Sequence, residues 1–460
     1  MTTRQTMPDD PTVTGGDTTP DGLPLASGRD TLRAAAAILP IIAQGVIARR
    51  PRVVALAGKA DLDGRGVRIF QDLATRYGHG PVRLRLPGRR AALVLDADDV
   101  RRVLDGTPEP FAPDTWEKRK ALGQFQPHGV LVSDGEVRAE RRRFNEAVLD
   151  SGHPLHRNAA VMARAVAQEA ELLGREVDGT GELDWDAFIR AWWRVVRRVV
   201  LGDGARDDHD LTDELTRLRN AANWSFLLPR RRVRRERFRA RLREHLERAE
   251  PGSLAEMIAG IPADPDVDPV DQVPQWLFAF DPAGAVALRA LAVLVAHPTE
   301  LARAREEIGD RDLALPQDLP RLRAAVLESV RLWPTTPLLL RETTRPVQWD
   351  GGGLDGRTAL IIPTWFLHRD GRARADAQRF DPQQWLDGAA QADPALVPFS
   401  AGPGRCPGRE LVLFTTSLFL AHLLRGRELE LTSPEIDPQA QLPAGVNPFG
   451  VRLRVVRPTG

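Results

Sequence analysis

The residue with the most distinctive chemistry in this sequence is its single cysteine, Cys406. It follows the glycine-rich stretch 398–405 and precedes a Pro-Gly pair. Glycines permit a tight loop and a close approach of the backbone to a flat ligand, and the helix predicted after the loop directs its first amides back at the sulfur. Such surroundings lower the pKa of a thiol and favour the thiolate, the form that binds metals. A reactive or metal-binding thiolate is one interpretation of Cys406, and a buried structural cysteine in a turn is the other.

A second pair with possible chemistry is Glu328 and Arg331, three residues apart on a predicted helix and within reach of each other. The spacing alone is weak, because a chain with 64 basic and 63 acidic residues produces it by chance on a solvated surface. The segment 378–385, Gln-Arg-Phe-Asp-Pro-Gln-Gln-Trp, gives the pair its interest.

The loop around Cys406 resembles the haem-binding loop of the cytochromes P-450, in which a Phe, two Gly and the Cys fall at fixed offsets. Phe399, Cys406 and two glycines meet those positions. The family usually has a basic residue two before the cysteine, where this chain has Gly404, with Arg405 next to the cysteine instead. The resemblance implies haem b with Cys406 as the axial thiolate ligand, and it assigns Phe399 and Arg405 to the cofactor site.

The Glu-x-x-Arg pair fits the same resemblance. The family pairs such a helix with an arginine in a coil of the pattern seen at 378–385, which identifies Arg379 as the third member. Glu328, Arg331 and Arg379 are therefore expected to form a buried structural network that holds the helix to the coil under the haem.

Arginines are also expected at the two haem propionates, because a planar guanidinium suits carboxylates. Arg341 lies where the family commonly supplies one. Arg141 matches the Arg of the family motif Trp-x-x-x-Arg, although Val137 occupies the Trp position. His128 is a candidate substitute for the missing donor, the alternative being a histidine in a surface turn.

The predicted oxygen-binding helix departs most from the family. Counted back without gaps from His297, the family's acid–alcohol segment falls on 278–283, where Asp281 keeps the acid and Pro282 replaces the threonine. In the family this pair delivers protons through positioned water. Pro282 removes the hydroxyl and an amide, and it leaves the carbonyl of Phe278 free to hold water or substrate. A register error or a purely structural kink is the alternative reading.

Four apolar side chains are expected to line the substrate pocket above the iron: Ala279, Phe280, Leu338 and Leu339.

The elements that position these residues are mostly helices. We expect a helix over 97–104 capped by Asp96, a central helix over 273–296 that is apolar on nearly all faces, and a final helix over 407–424, with strands near the two ends of the chain. The predicted fold class is mainly α with a smaller β region, and the resemblance specifies the roughly triangular haem-thiolate architecture. Residues 1–30 are predicted to be a disordered tail, and 31–460 a single domain.

Composition excludes several other classes of protein. One cysteine excludes an internal disulfide framework and Cys-based zinc sites, which favours a reducing cytoplasm. Neither a signal peptide nor a transmembrane segment is expected. The arginine-rich run 230–248 interleaves glutamates and carries an apolar residue every four positions, so it indicates a solvated amphipathic helix rather than nucleic-acid binding.

The resemblance implies that one oxygen atom from O2 is inserted into a small organic substrate, with secondary metabolites as one candidate class. Electrons would come from NAD(P)H through a ferredoxin and its reductase, since no flavin or iron–sulfur domain is recognised in the sequence. Without the alcohol, a peroxide-dependent enzyme or an oxidative coupling or rearrangement enzyme is the main alternative. A non-enzymatic haem or ligand carrier is a remoter one.

Overall fold

The computed structural model describes residues 22–456. Of the predicted tail, residues 1–21 lie outside the described residues. The predicted boundary at residue 30 is wrong, because Leu23 and Ala26 are buried and Leu25 forms a β-bridge with Arg83. Two apolar side chains that reach the core fix this stretch before the first helix begins.

Helices make up most of the described chain, which confirms the expected fold class. The α-helices are α1 (Gly28–Ala43), α2 (Pro51–Lys59), α3 (Leu62–Tyr77), α4 (Ala97–Asp105), α5 (Trp116–Leu122), α6 (Gly135–Val148), α7 (Ala159–Thr180), α8 (Trp185–Leu201), α9 (His209–Ala222), α10 (Arg232–Arg248), α11 (Leu254–Gly260), α12 (Val273–Ala296), α13 (Pro298–Ile308), α14 (Pro320–Leu332), α15 (Thr364–Leu367), α16 (Gln383–Leu386), α17 (Ala389–Ala392) and α18 (Arg409–Leu424).

The strands form three small sheets. They are β1 (Val82–Arg83), β2 (Ala91–Leu93), β3 (Phe111–Ala112), β4 (Glu182–Asp184), β5 (Leu338–Thr343), β6 (Val347–Trp349), β7 (Gly352–Leu354), β8 (Ala359–Pro363), β9 (Leu429–Ser433) and β10 (Arg452–Val455). The largest sheet has the order β1-β2-β8-β5-β3, the second has β4-β10-β9, and β6 pairs with β7. β5 runs antiparallel to β8, so Arg341 lies opposite Leu360.

Local sequence explains where the important helices begin and end. The Asp96 side chain accepts hydrogen bonds from the amides of Asp98 and Asp99, as predicted for the cap of α4. α12 spans the predicted range and ends at His297, one residue before the proline that begins α13.

α12 is the centre of the larger core, where it packs against α8, α14 and α18. With the preceding turn it forms a segment, Pro269–Ala296, that is long and apolar enough to cross a membrane. Because 61% of the apolar 18-residue stretch within that segment is buried inside the protein, its hydropathy reflects a core position. α10 buries Phe238 and Leu242 and leaves its arginines to pair with acids such as Glu214, as its interleaved pattern indicated.

Candidate functional site

Cys406 lies at the end of a tight loop that backbone contacts hold in place. Its amide donates to the carbonyl of Phe399 at 2.9 Å, and a 3-10 turn over Gly402–Gly404 precedes it. Gly402 has a φ of +59°, and a Cβ there would lie 2.4 Å from the carbonyl oxygen of Leu104. Only glycine fits this conformation and this contact with the end of α4. The cysteine is therefore presented by a rigid loop ahead of α18.

The thiol of Cys406 is partly exposed, yet burial raises its pKa. The amide of Gly408 and the charges of Arg142, Arg409 and Arg405 act in the opposite direction and are outweighed. The expectation of a lowered thiol pKa is therefore wrong for the protein alone, because desolvation exceeds the effect of the helix N-terminus. A metal ion bonded to the sulfur would itself supply the stabilisation of the thiolate.

The two other predicted residues of this loop differ in placement. Phe399 is half-buried against the larger core, with the guanidinium of Arg409 6.0 Å from its ring centroid. Arg405 is exposed and contributes a charge to the surroundings of Cys406. The glycine at 404 makes room for a different cation, since a Cβ there would lie 2.8 Å from Nη2 of Arg341.

Arg341 is 3% exposed and donates only to uncharged acceptors: the hydroxyls of Thr107 at 3.0 Å and Ser400 at 3.3 Å, and the carbonyl of Leu340. It has no carboxylate within ion-pair distance among residues 22–456. Burial lowers its pKa to about 10, and the charge of Arg138 contributes. A buried cation without an anion is costly, so this side chain is suited to an anionic ligand.

Lys118 is a second cation of the same kind, and sequence reasoning missed it. Its Nζ donates to the carbonyls of Pro113 at 2.6 Å and Leu340 at 3.1 Å. Burial lowers its pKa well below the usual value, and the charge of Arg341 lowers it further. Asp114, which opposes this effect, is itself paired with Arg119. No signal in the sequence separates Lys118 from its exposed neighbour Lys120.

The third cation is Arg138 rather than the predicted Arg141. Arg138 is 6% exposed, and its charge acts on both Arg341 and Lys118. Arg141 donates to the hydroxyl of Ser133 at 2.6 Å and the carbonyl of Asp266 at 3.2 Å, away from this cluster. Advancing the Trp-x-x-x-Arg register by one residue places Arg138 at the Trp position and Arg142, whose charge reaches Cys406, at the Arg position. The assignment of Arg141 was wrong by one residue.

His128 also lies elsewhere. Its ring forms a close hydrogen bond with the buried carboxylate of Asp271, just before α12, and its side chain is 56% exposed. The carbonyl of His128 accepts from Gln272. His128 therefore fastens its loop to the start of α12 and does not replace a propionate donor.

The partly exposed residues of α12 mark the part of the helix that the core does not cover. Asp281, Val295 and Ala296 are among them, and the other six recur at helical spacing along one face: Gln275, Phe278, Ala279, Pro282, Ala285 and Arg289. Ala279 and Pro282 lie on this partly exposed face. Phe280 lies on the opposite face, 3% exposed and 6.1 Å from the ring of Trp192. The assignment of Phe280 to the pocket was wrong.

Trp192 of α8 supports α12 beside Pro282. Its indole donates to the carbonyl of Phe280 at 2.8 Å and fills the space next to Gly284, where a Cβ would meet the ring at 2.7 Å. Pro282 itself has no amide to offer Phe278. The interior proline and the indole together modify the ordinary hydrogen-bond ladder of the helix at this point.

Asp281 lies at the edge of the pocket face and is paired across to α9. Its Oδ2 is 2.6 Å from Nη2 of Arg219, whose side chain is only 5% exposed, and the same nitrogen donates to the carbonyl of Ile47. Sequence reasoning did not find this partner, because α9 and α12 are distant in the chain. The acid is therefore held by a residue of α9 rather than left free.

Leu338 and Leu339 are both half-buried at the start of β5. Successive side chains of a strand point to opposite faces. Leu339 therefore shares the face of Arg341, and Leu338 lies on the other.

The Glu328–Arg331 pair is fully buried. All five N–H groups of Arg331 are used: two on Glu328, and three on the carbonyls of His368, Ala377 and Arg379. Burial is the largest single effect and would lower the pKa of Arg331, but the charge and hydrogen bonds of Glu328, with the charges of Asp376 and Asp381, together outweigh it, so that the net shift is upward.

The third member of this network was misidentified. The side chain of Arg379 is exposed, and only its carbonyl takes part. Glu328 instead accepts from the indole of Trp385 at 2.9 Å, the amide of Gln384 at 3.3 Å and the backbone of Asp381 at 3.0 Å. The charge of the Glu328 carboxylate is already balanced by Arg331. Its further hydrogen bonds can therefore come from neutral donors of the coil.

These residues fit an iron porphyrin with two propionates. One thiol is available to a metal, and the cation cluster Lys118, Arg138 and Arg341 has no internal anion bound to it among the described residues. The Nε of Arg138 is buried without a hydrogen-bond partner in the described chain. The glycines at 402 and 404 keep the loop close to its neighbours. The expected haem site is thus chemically complete, with Lys118 and Arg138 added to Arg341.

Comparison with known proteins agrees with this geometry. The family profile described as Cytochrome P450 matches residues 285–448. Among characterised proteins, methyltetrahydroprotoberberine 14-monooxygenase of Papaver somniferum is 31% identical over 160 residues, 32% of this chain and 30% of the relative. Beta-amyrin 24-hydroxylase of Glycine max is 33% identical over 151 residues, 29% of each chain. The chain thus covers less than a third of the length of these relatives.

Solved structures match over most of the chain. A six-coordinated cytochrome P450 from Thermus thermophilus covers 85% of this chain and 98% of its own, with a TM-score of 0.62 and 20% identity. The retinoic-acid-bound cyanobacterial CYP120A1 covers 84% and 93%, with a TM-score of 0.66 and 18% identity. This likeness confirms the haem-thiolate fold. The family profile adds a sequence match to Cytochrome P450 over the cysteine loop and its supporting helices.

Proposed function

We propose that the protein is a haem-thiolate monooxygenase that inserts one oxygen atom from O2 into a small organic molecule, with electrons from NAD(P)H through a ferredoxin and its reductase. The observation that carries the proposal is the presence of one cysteine in a rigid glycine loop together with three cations that no acid of the described chain pairs with. The names of the relatives, which include plant hydroxylases and monooxygenases, support a small organic substrate.

The residues of the chain have distinct roles in this proposal. Haem bound through a thiolate supplies oxygen activation, because the ligand donates electron density that promotes O–O cleavage. Cys406 is that ligand, and Lys118, Arg138 and Arg341 hold the propionates. Ala279 and Pro282 present an apolar surface to the substrate. Asp281 is the carboxylate placed to move a proton, and Arg219 orients it.

A second candidate is a peroxide-driven reaction of the same site. Two observations favour it: position 282 has no hydroxyl, and Asp281 is engaged by Arg219 rather than directed freely at the pocket. An enzyme supplied with peroxide obtains its two electrons and its protons with the oxidant, so it depends less on an acid–alcohol pair. A cytoplasmic location is proposed for either reaction, on the ground of the single reduced cysteine.

The first test is the CO difference spectrum of the reduced protein, with Cys406→Ala as the variant. The wild type is expected to show the red-shifted Soret band of a thiolate-ligated haem, and the variant to lose it. Retention of the band in the variant would disprove the ligand assignment. Turnover with ferredoxin, reductase and NADPH, measured beside turnover with hydrogen peroxide alone, then distinguishes the two reactions.

A further inference from the structure

Arg289 is an arginine within the apolar helix α12, on the partly exposed face that also carries Ala279 and Pro282. Its Nε donates to the carbonyl of Val446 at 2.9 Å and its Nη1 to the carbonyl of Trp333 at 3.4 Å. Both acceptors are uncharged. Burial lowers the pKa of Arg289 to about 9, although the side chain remains partly accessible.

Arg49, from the segment between α1 and α2, approaches the same place. Its Nη2 donates to the carbonyl of Thr335 at 3.3 Å, two residues after the Trp333 that Arg289 contacts. Burial lowers its pKa, and its charge is among the causes of the lowered pKa of Arg289. Two guanidiniums therefore share one poorly solvated environment and repel each other there.

The carboxylate that faces both arginines is Asp63 of α3. It accepts from the side-chain amide of Gln44 at 3.1 Å, and it forms no ion pair within 4 Å with either guanidinium. Burial raises its pKa, with the two arginines opposing. Arg369 also acts on this region, but its donors are taken up by Gln378 and by carbonyls. One carboxylate thus faces two guanidiniums that retain unused N–H groups.

This excess of positive charge lies at one end of the partly exposed face of α12. Arg289 follows Pro282 by seven residues on the same face, which is about 10 Å along a helix axis. Trp333 and Thr335, the acceptors for the two arginines, directly precede β5, whose first residue is Leu338. An apolar surface therefore runs from Ala279 and Pro282 toward a pair of cations.

We propose that Arg49 and Arg289 bind the anionic group of the substrate, and that the substrate is an organic acid with an apolar body. The carboxylate of the substrate neutralises the positive charge that Asp63 alone does not balance. It also accepts hydrogen bonds from the guanidinium N–H groups that do not donate to backbone carbonyls. The apolar body lies along Ala279 and Pro282, so the carbon that is oxidised is about 10 Å from the carboxylate. This inference rests on the proposed function, because it takes the face of α12 to be the substrate pocket.

The test is ligand binding to the haem-loaded enzyme, followed by the shift of the Soret band when a ligand displaces water near the iron. The probes are straight-chain and arylalkanoic acids of eight to fourteen carbons, each compared with its own methyl ester at pH 7.4. We expect at least one acid to bind about tenfold or more tightly than its ester, the usual effect of a charge-assisted hydrogen bond.

Four variants test the residues. Arg49→Gln and Arg289→Gln should each remove most of the preference for acid over ester, and Arg289→Lys should keep part of it. Asp63→Asn should tighten acid binding, which a merely structural role of Asp63 does not predict. Arg52→Gln, an exposed arginine of α2, is the matched control and should change nothing. Each variant is first shown to give the CO spectrum of the wild type, and two independent arginines protect the test against one misfolded variant.

No preference for any acid in the panel, or a preference that survives in both glutamine variants, would overturn the proposal. The titration needs bound haem but neither electrons nor turnover. A protein that binds acids through Arg49 and Arg289 yet oxidises none of them would therefore contradict the proposed function but support the anion site. Turnover of ligands without regard to their charge would support the proposed function but contradict the anion site.

Discussion

Asp281 and Arg219 form an ion pair between α12 and α9, with 2.6 Å between Oδ2 and Nη2, and the guanidinium lies 5.2 Å from the ring centroid of Phe278. The acid that the sequence predicts for the oxygen-binding helix is thus paired across to α9. Any movement of α9 changes the orientation of the carboxylate. The pair therefore links the position of α9 to the acid that we propose as a proton donor.

Arg219→Gln should lower the amount of product formed per NAD(P)H consumed, because the carboxylate of Asp281 loses its fixed orientation. Asp281→Asn should have a similar effect, and the double variant should be no worse than either single one. The measurement is product against NAD(P)H for the three variants at saturating substrate. Effects that add in the double variant would mean that Arg219 acts on something other than Asp281.

Lys118→Met should weaken the hold on haem without removing the thiolate signature. Lys118 has no acid partner within ion-pair distance among the described residues, and it is directed at the same space as Arg341. Loss of one charge-assisted hydrogen bond corresponds to about a tenfold faster release of haem, measured as transfer to excess apomyoglobin. Lys120→Met, which changes an exposed lysine on the same helix, is the control. Equal release rates in both variants would exclude Lys118 from the cofactor site.

The cofactor site also shows what the sequence alone can supply. Cys406, Phe399 and Arg341 were found from local motifs, since the loop and the strand carry their own signals. Local motifs could not decide between Arg138 and Arg141, because any of three consecutive arginines at 141–143 fits the motif. Only the packing of α6 determines which face of the helix, and so which arginine, lies in the site. Lys118 is set by the path of the chain after Pro113, which no periodicity reveals.

The same distinction applies to the fold. The class and the bounds of α12 follow from hydrophobic pattern and from the proline after His297. The neighbours of α12 determine which of its side chains are buried. Phe280 packs beside Trp192 in the core, whereas Ala279 lies outside it. The exchange of Arg379 for Trp385 in the buried network is likewise a matter of coil geometry, because both residues belong to the motif segment.

Glu328→Ala or Arg331→Ala should destabilise the protein by roughly 3–5 kcal/mol, because either change leaves an unpaired charge in the core. Glu300→Ala is the matched control, since Glu300 and Arg303 have the same spacing on a helix but Arg303 is 47% exposed, and it should cost under about 1 kcal/mol. Urea unfolding followed by circular dichroism measures both. Well-folded, haem-loaded Glu328→Ala with wild-type stability would show that the network is dispensable.

His368 should make the fold sensitive to acid. Burial, aided by the charge of Arg331, lowers its pKa to about 3, and its Nε2 accepts from the amide of Val397 at 3.0 Å. The unfolded chain, with a histidine pKa near 6.5, therefore takes up the proton first as the pH falls. Stability from this group is intact above about pH 6.5 and is lost toward pH 3, by about 2 kcal/mol between pH 7 and pH 5.

The variant His368→Gln should be less stable than the wild type at pH 7 but should lose less on going to pH 5. His79→Gln, which changes a side chain that is 91% exposed, is the control and should follow the wild type at both values. The free energy of unfolding in urea at the two pH values is the measurement. Parallel losses in wild type and His368→Gln would show that other groups cause the acid sensitivity.

Pro282→Thr tests whether this stretch of α12 handles protons, because it restores both a hydroxyl and an amide one residue after Asp281. A threonine there lies on the pocket face, where it can hold a proton-delivering water. If the native enzyme uses peroxide, the variant should gain activity with redox partners. If it uses O2 with a compensating water or substrate hydroxyl, the variant should consume NAD(P)H at least as fast with lower selectivity.

The measurement is product per NAD(P)H, beside the peroxide-driven rate, for wild type, Pro282→Thr and Asp281→Asn. Haem content should not change, because position 282 does not contact Cys406 or the cation cluster, so a difference in the ratio reports proton handling alone. Unchanged ratios in both variants would mean that protons enter by another route, and the assignment of the acid–alcohol positions to 281 and 282 would be wrong.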